Sequence, residues 1–249
     1  MGAKTPIKRI WLDKWIISNK EEELESRGLT PKGRRVLEEL NQIYEYTGVL
    51  RKLVKTLEPE IRKIYDKERR PVKILDIGMR DGTLLHLIGE FGVASRIPTE
   101  LQGVEFRADL AAFAKEQCIS RGDRIQVYHD AQKELKAFMP GSLDIVCSTF
   151  MLHHHTPEEV SSILRASFKL SRFSVYHLDL SRSLHGILAL WIIYTLLGFR
   201  ESRSDSVLSC RRAFRKKEIE DMIGQINESG GVQVRRAFPF YLVVERKQK

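Results

Sequence analysis

Apolar positions recur along this chain at two different periods, and the change between them falls near residue 71. Before it, Val36, Leu37, Leu40, Ile43, Tyr44 and Thr47 return every three or four residues, and after an interruption at Gly48 the spacing resumes with Leu50, Leu53, Val54 and Leu57. That spacing predicts amphipathic helices, with Thr30-Pro31 as a cap-like start. Trp11, Trp15 and Ile16 form an earlier apolar patch, so residues 1–70 are expected to be a helical N-terminal cap segment. Such a segment serves either as a packing layer or as the cover of a neighbouring pocket.

From Val72 onward the pattern becomes short apolar runs alternating with helical stretches: Val72 to Ile77, Leu101 to Phe106, Arg124 to Tyr128, Leu143 to Ser148 and Phe173 to Leu180. This predicts an α/β domain over residues 71–249 with a doubly wound, mostly parallel sheet. Val232 to Phe238 and Phe240 to Arg246 are separated by Pro239 alone, too close for a helical crossover, so a hairpin is expected to close the sheet. Within residues 181–210 the run Leu184 to Phe199 carries no acid, Lys or Arg, and it is shorter than the roughly 20 residues that span a bilayer. A helical lid over an acceptor pocket is expected there, lined by Trp191, Ile192, Ile193, Leu196 and Leu197. A core or dimer-interface helix, or one lying on an anionic membrane between Arg182 and Arg200, is the alternative.

Composition narrows the classes. In 249 residues, 42% are hydrophobic, enough for one sizeable core with an accessory segment. Lys and Arg exceed Asp and Glu by 42 to 33, a net charge of +9 that attracts anions. The basic residues are scattered in short runs without aromatic interleaving, which disfavours nucleic acid as a partner. Cys118, Cys147 and Cys210 stand far apart, which points to neither a disulfide framework nor a zinc site and fits the cytoplasm. The first residues show neither a signal-peptide core nor a myristoylation signal. A monomer or homodimer is expected.

The chemistry gathers at the ends of the strands. Leu75-Asp76-Ile77 runs into Gly78-Met79-Arg80-Asp81-Gly82-Thr83 and then a helix. In this strand, turn and helix unit Gly78 permits a tight turn and Gly82 a helix start close to a ligand. Arg80 and Thr83 stand where a dinucleotide fingerprint needs glycines, which weakens that reading. Asp76, buried on its strand, needs hydrogen bonds from a cofactor amine or from the loop's own N–H groups. Glu105, before Phe106, can accept both hydroxyls of a ribose, and Asp130, before Ala131, can accept from an adenine amino group. The fourth strand passes through Thr149 to His153-His154-His155, whose spacing supports no metal site. A substrate-facing base or a structural histidine remains.

These residues resemble those of the class I S-adenosylmethionine-dependent methyltransferases. Asp76-x-Gly78-x-x-x-Gly82 is similar to that family's cofactor loop, and Leu143-Asp144-Ile145-Val146 followed by Leu152-His153-His154 is similar to its fourth motif. Leu40-Asn41-Gln42-Ile43-Tyr44, Leu178 to Ser183, Asp205 to Phe214 and Pro239-Phe240 resemble bacterial small-molecule methyltransferases of the type III polyketide synthase-associated and ubiquinone/menaquinone methyltransferase-like group. The resemblance implies a seven-stranded Rossmann-like sheet with a reversed last strand. It implies S-adenosyl-L-methionine held by Asp76, Gly78, Arg80, Gly82, Glu105, Phe106, Asp130, Ala131 and Thr149. It further implies methyl transfer to a small, lipophilic acceptor such as a phenol, quinol or polyketide, with oxygen favoured as the atom methylated. His154 is the first candidate for a base and His153 the second, with Asp179 orienting the histidine or holding the acceptor, and Trp191 and Arg212 as substrate contacts. Arg80 departs from the glycine usual at its position, so its side chain either flips outward or narrows the loop. A non-catalytic cofactor-binding scaffold and an RNA methyltransferase are the other readings.

Overall fold

In the computed structural model, which describes residues 29–131, 135–226 and 230–247, helix α1 (Pro31–Thr47) starts at a cap that its sequence writes locally. The Thr30 hydroxyl accepts the Gly33 N–H at 2.9 Å, and Pro31 sits where a backbone donor is not needed. Gly48, at φ +62°, ends α1 and opens α2 (Val49–Glu68) at once. Leu50, Leu53, Val54 and Leu57, the stripe that the helical spacing predicts, line the buried face of α2, and Ile61 and Ile64 continue it. The apolar patch at Trp11, Trp15 and Ile16 lies outside the described residues.

The sheet has seven strands: β1 (Val72–Ile77), β2 (Thr99–Glu105), β3 (Ile125–His129), β4 (Leu143–Thr149), β5 (Ser171–Leu180), β6 (Val232–Ala237) and β7 (Tyr241–Lys247), in the order β3-β2-β1-β4-β5-β7-β6. The first five pair in parallel, and β7 runs antiparallel to both β5 and β6. The expected closing hairpin is therefore present, with its second strand inserted between β5 and β6. Helices α3 (Thr83–Ser95), α4 (Ala108–Arg121) and α5 (Pro157–Leu170) cross between parallel strands, and α8 (Lys216–Gly224) precedes β6. Successive strand side chains go to opposite faces. Ile74, Ile145 and Val243 join one core with α2 and α3, while Leu75, Val146 and Val244 join a second with α5 and α8.

A third, smaller cluster sits at the carboxyl edge. After β5 come α6 (Leu184–Leu196) and α7 (Arg200–Arg212), which pack Leu190, Tyr194 and Cys210 against Leu180 and against Ile43 of α1. Glu39 of α1 fastens α7 by accepting the Ser202 N–H at 2.8 Å and its hydroxyl at 2.6 Å. α6 turns inward the side chains of Leu190 and Tyr194, and of the five that the sequence suggested only Ile193 lines a cavity among the described residues. Trp191 is 51% exposed, with Ile192, Leu196 and Leu197 exposed beside it. The helix is apolar on every side, so its periodicity carries no information about which face packs. Arg182 is also placed differently: it is buried, bidentate to Glu218 at 2.7 and 2.8 Å, and thus withdrawn from any lipid surface.

Two polar groups inside the sheet have structural roles. Asp144 stands at the edge opposite the strand ends that carry the site, taking a fork of bonds from Arg70 at 2.7 and 2.8 Å and the Lys73 N–H at 2.9 Å. His177 is fully buried on β5; its Nδ1 shares a 2.7 Å hydrogen bond with the Ser148 hydroxyl while Nε2 has no partner. Burial lowers its pKa to about 4, with Asp179 opposing the shift. The folded form therefore holds His177 neutral, and the unfolded chain binds the proton more tightly. Stability is fully present above about pH 6.5 and falls as pH drops toward 4, by roughly 3 kcal/mol at most. His177→Gln is expected to flatten the melting temperature against pH between 6.5 and 4.5. Parallel slopes in variant and wild type would contradict this assignment.

Candidate functional site

The turn after β1 is built on positive φ angles: Gly78 at +71°, Arg80 at +56° and Gly82 at +79°. At Gly78 a Cβ would stand 2.5 Å from Met151 Cγ, so both backbone angle and space exclude a side chain there. Arg80 holds its left-handed backbone with its N–H and both terminal guanidinium nitrogens engaged nearby, while its buried Nε has no hydrogen-bond partner. Its N–H donates to Glu105 Oε2 at 3.1 Å, its guanidinium donates to the Tyr44 hydroxyl at 3.0 Å and to Asn41 Oδ1 at 3.3 Å, and it lies 4.7 Å over the Tyr44 ring. The side chain thus neither flips outward nor narrows the turn, but reaches inward onto α1.

Asp81 completes this tie, accepting from Asn41 Nδ2 and from the Thr83 hydroxyl, each at 2.7 Å. Burial alone would raise its pKa, but the Arg80 charge and these bonds hold it below the usual carboxylate value. Asp76 has no such company. It is 1% exposed at the end of β1, and neither carboxylate oxygen has a hydrogen-bond partner. Burial pushes its pKa well above the ordinary range, with the Arg80 charge only partly opposing. The loop's own N–H groups are therefore not what satisfies Asp76.

Glu105 is also buried, but it accepts three backbone N–H groups: Arg80 at 3.1 Å, Phe106 at 2.8 Å and Arg107 at 3.4 Å. Its pKa is nonetheless raised, burial outweighing these bonds. Asp130 follows β3 and accepts the Leu135 N–H at 2.6 Å, with Ala131 exposed next to it. Phe106 sets its ring edge-on to His155 at 5.4 Å, and Thr149 is half-buried at the end of β4.

Beyond β4, Phe150 takes φ +52° and stacks on Tyr44 at 5.0 Å, and the short 3₁₀ turn Leu152–His154 presents the histidines. His153 is the one that Asp179 holds. Its N–H donates to Asp179 Oδ2 at 3.1 Å and its Nδ1 lies 2.6 Å from Oδ1, which also accepts the Leu180 N–H at 2.6 Å. Burial works against the Asp179 charge, yet His153 and these bonds keep its pKa below the ordinary value. The His154 ring lies 4.1 Å from that of His153. The resemblance puts His154 first; the Asp179 carboxylate is hydrogen-bonded to His153.

Both histidines, Arg80, Tyr44, Phe150, Tyr194 and Tyr241 line a cavity of about 80 Å³ under α6. Arg212 does not line it, and the cation that does is Arg80. Burial raises the Tyr44 and Tyr194 pKa values and pushes that of Tyr241 up to about 12, so these phenols stay protonated at neutral pH. Asn41, Tyr44, Phe150 and Tyr241 belong to the site without having been singled out as its residues. A signal existed for the first two, which fall in Leu40-Asn41-Gln42-Ile43-Tyr44; Phe150 and Tyr241 carried none.

No family model matches the sequence, and no curated protein does either. Solved structures do match. The plantazolicin methyltransferase BpumL in complex with SAH aligns with a TM-score of 0.64 at 14% identity, over 88% of this chain and 91% of that one. The plantazolicin methyltransferase BamL, in complex with a triazolic desmethylPZN analog and SAH, gives 0.57 at 16% identity over 82% and 71%. Magnesium protoporphyrin IX methyltransferase (ChlM) from Synechocystis PCC 6803 with bound SAH gives 0.53 at 14% identity over 91% of each chain. The chain has the Rossmann-like fold of class I methyltransferases.

Proposed function

We propose that this protein transfers a methyl group from S-adenosylmethionine to a small, largely apolar acceptor. One observation carries the reading: Asp76 is a buried carboxylate with two unpartnered oxygens, beside a glycine turn, at the edge of the sheet. Burying such a group without a partner costs about 1–3 kcal/mol, which a ligand amine at that point would offset. The SAH bound in the three structural neighbours supports a cofactor of this kind. Asp76 would hold the amino group of S-adenosylmethionine, Glu105 its ribose hydroxyls, and Asp130, Ala131, Phe106 and Thr149 would serve its adenine. Gly78 and Gly82 would allow backbone approach, and the Arg80 guanidinium would supply the counter-charge for its carboxylate.

The cofactor supplies a methyl on a sulfonium, whose leaving group is neutral. The protein's work is then in-line placement of the acceptor and, for a phenol or quinol, removal of its proton. The tyrosines are too weakly acidic to take part as phenolates, so the proton goes to a histidine. His153 is assigned that role because it lines the cavity and Asp179, 2.6 Å from its Nδ1, orients the ring and stabilises the cation formed. A cavity of about 80 Å³ is smaller than the roughly 150 Å³ that accommodates benzene, so the cap must open to admit an aromatic acceptor. The phenol, quinol or polyketide class rests on the resemblance of the cap and hairpin segments.

Calorimetric titration with S-adenosylmethionine tests the reading. Glu105→Ala is expected to weaken binding by roughly 1.5–3 kcal/mol, the size of lost charge-assisted bonds. An unchanged Kd in a variant whose circular dichroism matches wild type would remove Glu105 from the site, and no binding to wild type would end the proposal. Repeating the titration of the loaded protein with phenols, quinols and RNA separates the acceptor classes.

A further inference from the structure

Seven of the twelve exposed large apolar side chains among the described residues lie between Leu184 and Leu197, and an eighth, Phe238, is 95% exposed on the turn between β6 and β7. Concentration of apolar surface on one element is what a soluble surface normally avoids. Behind it lies a second cavity of about 350 Å³, lined by Ile193 of α6 and by Phe238, and separated from the histidine cavity by Ile43, Leu190, Tyr194, Phe240 and Tyr241. Its charged lining residues are Lys52 and Arg235, both cations and both exposed. Arg203 adds another, lying 6.0 Å over the exposed Trp191 ring, and Arg200 is exposed where α7 begins. No acid occurs from Ser181 to Arg200.

From this pairing we infer that α6 and the Phe238 turn seat on an anionic lipid bilayer, with the large cavity opening toward it as the portal for the acceptor's apolar body. An apolar ridge flanked by cations suits the acyl and headgroup boundary of an acidic leaflet, and the helix is too short to cross it. The docking stands on surface and charge alone; the portal role rests on the methyl transfer proposed above. The arrangement also accounts for the size mismatch between the cavities: the small one takes the reacting group and the large one the rest.

The full chain is mixed with vesicles of phosphatidylcholine alone, or with about 30% phosphatidylglycerol, and sedimented. Binding is expected to the acidic vesicles, to fall steeply in 0.5 M NaCl, and to drop at least about tenfold in Leu188→Ser/Trp191→Ser, with a smaller loss in Lys52→Glu/Arg235→Glu. S-adenosylmethionine titration of the double serine variant is expected to match wild type, which keeps failure of docking distinct from failure of the enzymatic reading. No sedimentation with acidic vesicles would overturn the proposal. So would a dimer by light scattering that Leu188→Arg splits while vesicles leave it intact, because α6 would then cover a second copy.

Discussion

Replacing His153 with Gln is expected to lower kcat on a phenolic acceptor by roughly 10²–10⁴-fold while leaving the Kd for S-adenosylmethionine nearly unchanged. The fold should survive, since Asp179 keeps the N–H groups of residue 153 and Leu180 at 3.1 and 2.6 Å. What is lost is a base oriented by a carboxylate 2.6 Å from its Nδ1. Asp179→Asn is expected to move the rate in the same direction, because the amide no longer stabilises a charged imidazole. The loss of kcat should appear in the His153 variant and be absent in His154→Gln. The reverse pattern would transfer the role to His154.

Asp76→Asn is expected to produce two effects of opposite benefit: S-adenosylmethionine binds about 100-fold more weakly, and the ligand-free protein melts several degrees higher. The first follows from removing a charge opposite the cofactor's amine, worth roughly 1.5–3 kcal/mol. The second follows from burial, which penalises a carboxylate whose oxygens have no partner. A gain of 1 kcal/mol raises the melting temperature of a protein of this size by about 2–4 °C. Because burial raises the Asp76 pKa above its unfolded value, protonation favours the folded form. The wild type is thus penalised above its unfolded pKa and relieved as pH falls through the folded one, so its deficit against Asp76→Asn should shrink toward acid. Melting curves at several pH values, with and without ligand, check both. A variant that melts lower and binds as wild type would make Asp76 a structural residue.

The two variants probe a site that gives up stability for function. Asp76 stays buried with both carboxylate oxygens unsatisfied, and Arg80 stays at φ +56°, a conformation that disfavours side chains. The contacts of Arg80 with Glu105, Tyr44 and Asn41 accompany its conformation, whereas no protein group among the described residues satisfies Asp76, whose partner the proposed cofactor amine would be.

The sequence by itself determined the architecture, because each signal for it is local. Alternation of apolar runs places the seven strands within a few residues of their ends, Thr30 and Gly48 write the boundaries of α1, and the Gly78 to Gly82 turn announces the ligand edge. The acids at the strand ends follow from the same reasoning, since parallel strands bring their carboxyl ends together. What only the tertiary structure decided is direction. His153 and His154 are adjacent on a 3₁₀ turn with their rings 4.1 Å apart, so the choice of partner for Asp179, 26 residues on, is made by packing. The inward reach of Arg80 depends on Tyr44 and Asn41 of a helix 36 and 39 residues away. Trp191 faces outward because α6 is apolar all round, and its packing on Cys210 and Leu180, which no period encodes, selects the face that turns in.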